Sequence, residues 1–252
     1  MTRPRLIIAI PAYNAAKTIE GVFARMPAAI RDWCECYIVV DDGSKDDTAA
    51  VVRRLMQADP KIRLIAHPQN RGYGGAAKTG LSAARDAGAD LVAWVHSDGQ
   101  YAPEMLPALL APLEAGTADM VQGSRMRGGG ALAGGMPLYK YVANKLLSLV
   151  ENLAFGMRLA EFHSGYMLYH RRCLERIPFE GFNTRNFIFD QEMMIVGHSL
   201  GLRIRDIAIP TRYGDEVSHL KVIPYGLAVL GMIARFYRGD YDVRRLRAAA
   251  GA

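Results

Sequence analysis

An apolar run, VAWV, ends in His96-Ser97-Asp98-Gly99-Gln100. A carboxylate at the tip of a hydrophobic segment is placed to hold a hard cation such as Mg²⁺. The histidine two residues earlier offers a nitrogen that Mn²⁺ accepts more readily. Four other apolar runs end in similar polar, small-residue stretches: PAYN (Pro11, Tyr13, Asn14), DDGS (Asp41, Asp42), HPQNRGYGGAAKTG, and GSR with Arg125. Carboxylates there could accept hydroxyl groups, glycines could admit a phosphate, and an arginine could neutralise one. Farther on, FDQEM supplies Asp190 and Glu192, a pair suited to acid–base work. Each residue also has an ordinary structural use. Aspartates after strands cap helices, glycines make tight turns, and acids in a helix's first turn complement its dipole.

The elements that must position these residues can be read from hydrophobic pattern. LIIAI (6–10), YIVVD (37–41), IRLIA (62–66), LVAWV (91–95) and DMVQG (119–123) are short runs rich in Ile and Val, as buried parallel strands are. Helical patterns near 16–29, 46–58, 74–87 and 103–115 separate them, and this alternation predicts an α/β fold with helices on both faces of a mainly parallel sheet. In such sheets ligands bind at the carboxyl ends of the strands, where all five polar stretches fall. The glycine-bearing RGYGG follows the third strand rather than the first, which argues against a dinucleotide-binding Rossmann site.

Past Gly123 the pattern changes. RGGGALAGGMP (127–137) reads as a loop, and residues 138–155 predict an amphipathic helix. Its apolar stripe is Tyr141, Val142, Leu146, Leu149, Val150 and Leu153, with Asn144, Ser148, Glu151 and Asn152 opposite. Strands near 166–169 and 202–209 and helices near 189–200 and 222–237 complete the expected order. No linker separates domains, so one domain over 1–252 is expected. Its change of pattern divides it into a first half at about 5–125, a second at about 126–235, and a basic tail at 236–252.

Composition narrows the class. Half of the 252 residues are hydrophobic and 22% are charged, as in an ordinary globular protein. Cys34, Cys36 and Cys173 offer neither a disulfide framework nor a paired zinc motif and fit free thiols in a reducing cytoplasm. No run reaches the roughly 18 apolar residues of a membrane span, and the N-terminal run is too short for a secretory signal. The net charge of +6 suits an anionic partner. Lys and Arg are scattered, with no aromatic-interleaved basic motif, so no nucleic acid is expected.

In this order and spacing, PAYN, DDGS, NRGYGGA, HSDGQY and GSR resemble the family 2 glycosyltransferases with the GT-A fold. HSGYMLYHRRCL, FDQEM and IPTRYGDEVSHL resemble more narrowly the dolichyl-phosphate mannose synthases and related polyprenyl-phosphate sugar synthases. The resemblance spans about residues 5 to 235 and implies a nucleotide-binding half at about 5–125 and an acceptor-binding half at about 126–235. It implies inverting transfer of a hexosyl group from a GDP- or UDP-sugar, with help from a divalent cation, to a lipid phosphate. Pro11, Tyr13, Asn14, Asp42, Gly74, Lys78, His96 and Ser97 would then lie at the nucleotide sugar.

Asp98 matches the second acid of the family's Asp-x-Asp metal motif, Gln100 a further metal-side residue, and His96 stands where the first acid would be. That histidine could ligate the ion, the nucleotide or bound water. Arg125 and Lys140 match phosphate-facing positions, although Lys140 also fits a solvated surface. Arg212, Ser218, His219 and Lys221 match a donor-gating, phosphate-binding loop, where His219 would make the contact pH-dependent near neutrality. Ala15 replaces the family's frequent Glu.

The acceptor decides whether a base is needed. A hydroxyl must lose a proton, for which Asp190 is suited, whereas a lipid phosphate is already ionised. Glu192 matches an acid of the lipid-phosphate branch. The basic tail and the apolar helix near 222–237 fit a peripheral contact with the inner face of a membrane, and a solvated tail fits as well. A saccharide-directed transferase and a non-catalytic binding domain are the rival readings.

Overall fold

The computed structural model describes residues 3–184, 187–210 and 222–251; the side chains of Val222 and Ile223 lie outside that description. Its first part runs β1 (Leu6–Ala12), α1 (Ile19–Ala24), α2 (Ala28–Trp33), β2 (Cys34–Asp41), α3 (Thr48–Ala58) and β3 (Ile62–Ala66). Then follow α4 (Tyr73–Asp86), β4 (Leu91–Trp94), α5 (Leu106–Glu114) and β5 (Met120–Ser124). The second part comprises α6 (Gly130–Ala133), α7 (Leu138–Phe155), β6 (Met167–His170), α8 (Arg171–Arg176), α9 (Phe189–Ser199), β7 (Ile204–Ala208), α10 (Val222–Tyr237) and α11 (Val243–Ala250).

All seven strands share one sheet in the order β3-β2-β1-β4-β6-β5-β7. Every pairing is parallel except those of β6, which runs antiparallel between β4 and β5. Strands of both halves of the chain are thus hydrogen-bonded into a single platform. Alternation along β1 divides the core: Ile7 and Ala9 pack with Ile38, Val40 and Trp94 on one face, while Leu6, Ile8 and Ile10 pack with Val39 and Ala93 on the other. Both faces are covered, so β1 reads as a continuous apolar run.

Three expectations change. The stretch 127–137, read as a loop, contains the short helix α6. The helix expected over 16–29 is two, α1 and α2, broken at Pro27, which lacks an amide hydrogen and holds an extended ψ of 142° at the cap of α2. More consequential is α7. Its polar residues Asn144, Ser148 and Glu151 are buried, while Leu146, Leu149 and Leu153 are 59%, 56% and 76% exposed. The amphipathic pattern is present, but its polar side faces inward.

That inversion is held by hydrogen bonds. Asn144 Nδ2 donates to Glu161 Oε2 at 3.2 Å, and Ser148 Oγ donates to Asn144 Oδ1 at 3.3 Å. Asn152 clasps the backbone of Leu159 from both sides, donating to its carbonyl and accepting from its amide, each at 2.8 Å. A buried polar face is stable where its groups find partners, and here most do.

The three cysteines are free and buried. Burial pushes the thiols of Cys34 and Cys173 up to about 12, so both are unreactive.

Candidate active site

Loops at the carboxyl ends of the central strands interlock through main-chain contacts. Asn14 sits in the left-handed region at φ 52°, a conformation Asn tolerates. Its amide donates to Ser44 Oγ at 3.0 Å and its Oδ1 accepts from the Lys45 amide at 2.9 Å. Gly43, at φ +68°, comes so close to the next loop that a Cβ would lie 2.7 Å from the Asn70 amide nitrogen. The DDGS turn therefore lies directly on the NRG turn, and only glycine fits between them.

Within this framework Asp42 is 3% exposed and already engaged. Its Oδ1 meets His67 Nδ1 at 2.7 Å and accepts from the Arg71 amide at 2.8 Å. His67 Nε2 in turn lies 2.9 Å from Thr79 Oγ1. Asp41 Oδ1 accepts from the Ser44 amide, and Tyr13 is exposed beside the same turn. Pro11 is the penultimate residue of β1, and the Cβ of Ala15 is buried, so no carboxylate reaches out there. Gly74 is buried in the first turn of α4. Lys78 points away from these loops, its Nζ donating to the carbonyls of Glu180 and Phe182.

At the tip of β4, Asp98 is exposed. Its Oδ1 accepts from the Gln100 amide at 3.0 Å, which leaves Oδ2 for a ligand. Ser97 is buried and Gln100 exposed on the same turn. His96 directs Nε2 to the Tyr73 hydroxyl at 3.2 Å, and its ring also bonds to the Gly165 backbone. Its ring lies between those of Tyr73 and Tyr101, with centroids 5.5 and 5.0 Å away. Burial holds the imidazole below its usual pKa; Asp98 opposes and Arg125 reinforces this, so the three sense one another's charge. A Cβ on Gly165 would lie 2.7 Å from His96 Nε2, so glycine there admits the ring.

Among the described residues no group of three or more His, Cys, Asp or Glu side chains converges as a preformed metal cage. The donor set instead suits a hard cation that takes one or two protein carboxylates and completes its shell with substrate phosphates and water. Asp98 meets that requirement.

Tyr73 joins the β4 tip to α9. Its hydroxyl donates to Asp190 Oδ2 at 2.6 Å and accepts from Trp94 Nε1 at 2.8 Å. Asp190 is 4% exposed, and burial pushes its carboxyl up to about 8, against the opposing pull of the Tyr73 and Tyr169 hydroxyls. At neutral pH it is mostly protonated. Glu192, two residues on, faces elsewhere: it accepts from Thr184 Oγ1 at 2.8 Å and Tyr241 at 2.7 Å, and lies 3.1 Å from Arg235. It ties α9 to α10 and the C-terminal segment, away from Asp98.

Arg125, after β5, is held by Glu161: Nη2 donates to Glu161 Oε2 at 2.8 Å and to the His163 carbonyl at 2.6 Å. Glu161 has no exposed surface, yet Arg125 and Asn144 keep its carboxyl below the usual range despite burial. Lys140, in the first turn of α7, is half-buried. Arg212, Ser218, His219 and Lys221 lie outside the described residues.

Sequence pattern therefore locates Asp98, His96, Arg125, Asp42 and Asp190 around the strand ends, and misses the residues that orient them. Tyr73 lies inside the RGYGG stretch, where the glycines draw attention from it. Glu161 stands two residues before the HSGYM segment, and its role emerges only once α7 and β5 meet. His67 precedes the same glycine loop and carries no pattern of its own.

Residues 7–178 match the model of the family described as glycosyl transferase family 2. The chain is 30% identical over 222 residues to a UDP-N-acetylglucosamine–dolichyl-phosphate N-acetylglucosaminyltransferase from Methanococcus voltae, covering 83% of this chain and 86% of that one. It is 28% identical to an undecaprenyl-phosphate mannosyltransferase from Micrococcus luteus, covering 81% and 82%. Among solved structures it is similar to a glucosyl-3-phosphoglycerate synthase from Mycobacterium tuberculosis in complex with Mn²⁺, UDP and phosphoglyceric acid. That match has TM-score 0.63 and 21% identity over 98% of this chain and 79% of the other, and at that identity speaks for the fold alone.

Proposed function

The chain belongs to glycosyl transferase family 2, and from that premise we propose that it moves a hexosyl group from a nucleotide diphosphate sugar to a polyprenyl-phosphate acceptor, with inversion. The relatives named for dolichyl- and undecaprenyl-phosphate acceptors support the acceptor class. The observation that carries the choice is the state of Asp190. A carboxyl that is only 4% exposed, with Oδ2 bonded to the Tyr73 hydroxyl at 2.6 Å, offers an incoming hydroxyl little to reach. A lipid phosphate brings an oxygen that is already ionised and needs no such base.

In this reading the interlocked PAYN, DDGS and NRG turns seat the nucleoside, with Tyr13 and the rim around Asp42 beside base and ribose. His96 and Ser97 lie against the diphosphate, and Arg125, steadied by Glu161, faces phosphate charge. Asp98, with Gln100 beside it, would hold Mg²⁺ or Mn²⁺, which when bound neutralises charge on the departing nucleoside diphosphate. His96 contributes its imidazole to that ion's surroundings or to the diphosphate itself. Arg212, Ser218 and His219 are assigned to the phosphate-binding loop on sequence alone.

No described helix is long and apolar enough to cross a membrane. Meeting a lipid acceptor then requires contact with a membrane surface, which the basic C-terminal segment and α10 would supply from its cytoplasmic side.

The test is an acceptor panel. The purified chain is incubated with GDP- and UDP-sugars, Mn²⁺ or Mg²⁺, and either undecaprenyl phosphate or hydroxyl acceptors such as oligosaccharides and phosphoglycerate. Transfer to undecaprenyl phosphate alone is expected, and chelation should abolish it. Transfer confined to a hydroxyl acceptor, lost more than about a hundredfold in Asp190→Asn, would replace this reading with the saccharide-directed one.

A further inference from the structure

His67, between β3 and α4, is a buried histidine of the strand-tip region: its side chain is only 4% exposed and both ring nitrogens are engaged. Nδ1 lies 2.7 Å from Asp42 Oδ1, and Nε2 lies 2.9 Å from Thr79 Oγ1 on α4. An ionised carboxylate only accepts, so Nδ1 carries the hydrogen between the two. The same Oδ1 also accepts from the Arg71 amide at 2.8 Å. Two donors fill the two lone pairs of that oxygen. Oδ2 makes no hydrogen bond among the described residues, and the side chain keeps 5% of its surface open. The main chain holds this arrangement still. The Asp42 amide donates to the Ala12 carbonyl at 2.8 Å, the Asp42 carbonyl accepts from Asn70 Nδ2 at 3.2 Å, and the His67 amide donates to the Asp41 carbonyl at 2.8 Å. Asp42 therefore presents one oxygen, at one angle, from a narrow slot.

A single acceptor in a slot discriminates between bases. Tyr13, exposed on the neighbouring turn, offers a flat face on which any base can stack, so stacking alone selects none. The edge of the base decides. Uracil presents one hydrogen donor, N3–H, between two carbonyls. Guanine presents two donors side by side, N1–H and the exocyclic amine, which a carboxylate matches with both of its oxygens. Here Oδ1 is already taken, so guanine would bring one N–H into the slot with no acceptor. Leaving a buried donor unpaired costs the full desolvation penalty of that group. Uracil leaves no donor unmet at Asp42.

We propose that His67 sets the base selectivity of this site by occupying one oxygen of Asp42, so that the sugar donor is a uridine rather than a guanosine diphosphate sugar. His67 is a positioning residue: it acts on Asp42, and Asp42 meets the base. Thr79 steadies the ring from its other side. The inference rests on the reading that the strand-tip turns seat a nucleoside, and it goes beyond that reading by choosing the base.

Calorimetric titration of the full chain with UDP, GDP and N3-methyl-UDP in the presence of Mn²⁺ tests it. UDP should bind at least about tenfold more tightly than GDP, and N3-methylation, which removes the one donor, should weaken UDP by a similar factor. His67→Leu frees Oδ1 and should bring UDP and GDP within about threefold of each other. His67→Asn keeps an N–H that can reach Oδ1 and should restore most of the preference. A merely structural histidine would weaken both nucleotides alike, because damage to the fold does not distinguish bases. Should His67→Leu fail to fold, Thr79→Val removes only the support of Nε2 and should narrow the ratio in the same direction. The proposal is overturned by equal or tighter binding of GDP to the unaltered chain, or by a ratio that these variants leave unchanged. Full binding of N3-methyl-UDP overturns it too, since Asp42 would then meet the ribose. In each of these cases a nucleotide still binds and the transferase reading stands. Binding of neither UDP nor GDP overturns both together.

Discussion

The strand-tip region and the α7–α10 region use polar side chains in opposite ways. At the strand tips polar groups gather at an opening: Asp98 and Tyr13 are exposed, and the backbone turns beneath them are fixed by Gly43 and Asn14. Around α7 the polar groups are withdrawn from water, and Glu161, Glu151, Asn144 and Ser148 lie inside while leucines face out. The first region spends hydrophobic burial on a rigid floor for a ligand. The second spends hydrogen bonds on holding an inside-out helix. A substitution in the first should therefore cost activity before stability, and in the second stability before activity.

Removing the Asp98 carboxylate gives the sharpest contrast. Asp98→Ala should reduce sugar transfer by about a thousandfold and abolish Mn²⁺-dependent stabilisation by nucleotide, with an unchanged melting temperature in the bare protein. Activity within tenfold of the original would break the assignment of this tip. In the other region, Glu161→Ala removes the buried carboxylate shared by the half-buried Arg125 and Asn144 and should cost about 1–3 kcal/mol of unfolding free energy in denaturant titration. A loss under 1 kcal/mol would mean that the pair does not hold the β5 loop to α7.

Gly165→Ala probes the seam between the regions. Its new methyl would collide with His96 Nε2, so a loss of about 1–3 kcal/mol is expected, together with weaker nucleotide-induced stabilisation. Wild-type values for both would show that His96 can move aside freely.

The buried polar groups of the second region also set a pH slope. Burial alone pushes the Glu151 carboxyl up to about 9, and the His163 imidazole 3.2 Å away is pushed down to about 4, so both are neutral near pH 7. Between about 4.5 and 9 the folded chain keeps a Glu151 proton that the unfolded chain has released. Stability is therefore lost as pH rises through that window, by up to about 1.4 kcal/mol per pH unit for one proton. Asp190 acts in the same direction up to about 8. His163 works in the opposite sense, but only below its unfolded value near 6.5. From pH 6.5 to 9 the melting temperature should fall, and Glu151→Gln should flatten the fall. An unaltered slope in that variant would place the titration elsewhere.

Much of the strand-tip region is legible from residues alone, because short Ile- and Val-rich runs fix the strands and the sheet's parallel order fixes which ends carry ligands. His96, Asp98 and Arg125 follow from that logic. The break at Pro27 needed only attention to one residue's missing donor. The orientation of α7 was not legible: the stripe of leucines and the row of Asn144, Ser148 and Glu151 are equally clear in the sequence. Periodicity states that a helix has two sides and leaves open which one meets the protein.

By itself, then, the sequence determined the alternating strands and helices and the polar strand ends, since these depend on neighbours a few residues away. Only the tertiary structure decided that Tyr73 couples His96 to Asp190, that Glu161 rather than solvent meets Arg125, and that α7 turns its leucines outward. Each is a contact between segments 17 to 117 residues apart in the chain. The energy of burying a polar group depends on whether a distant partner arrives to receive it.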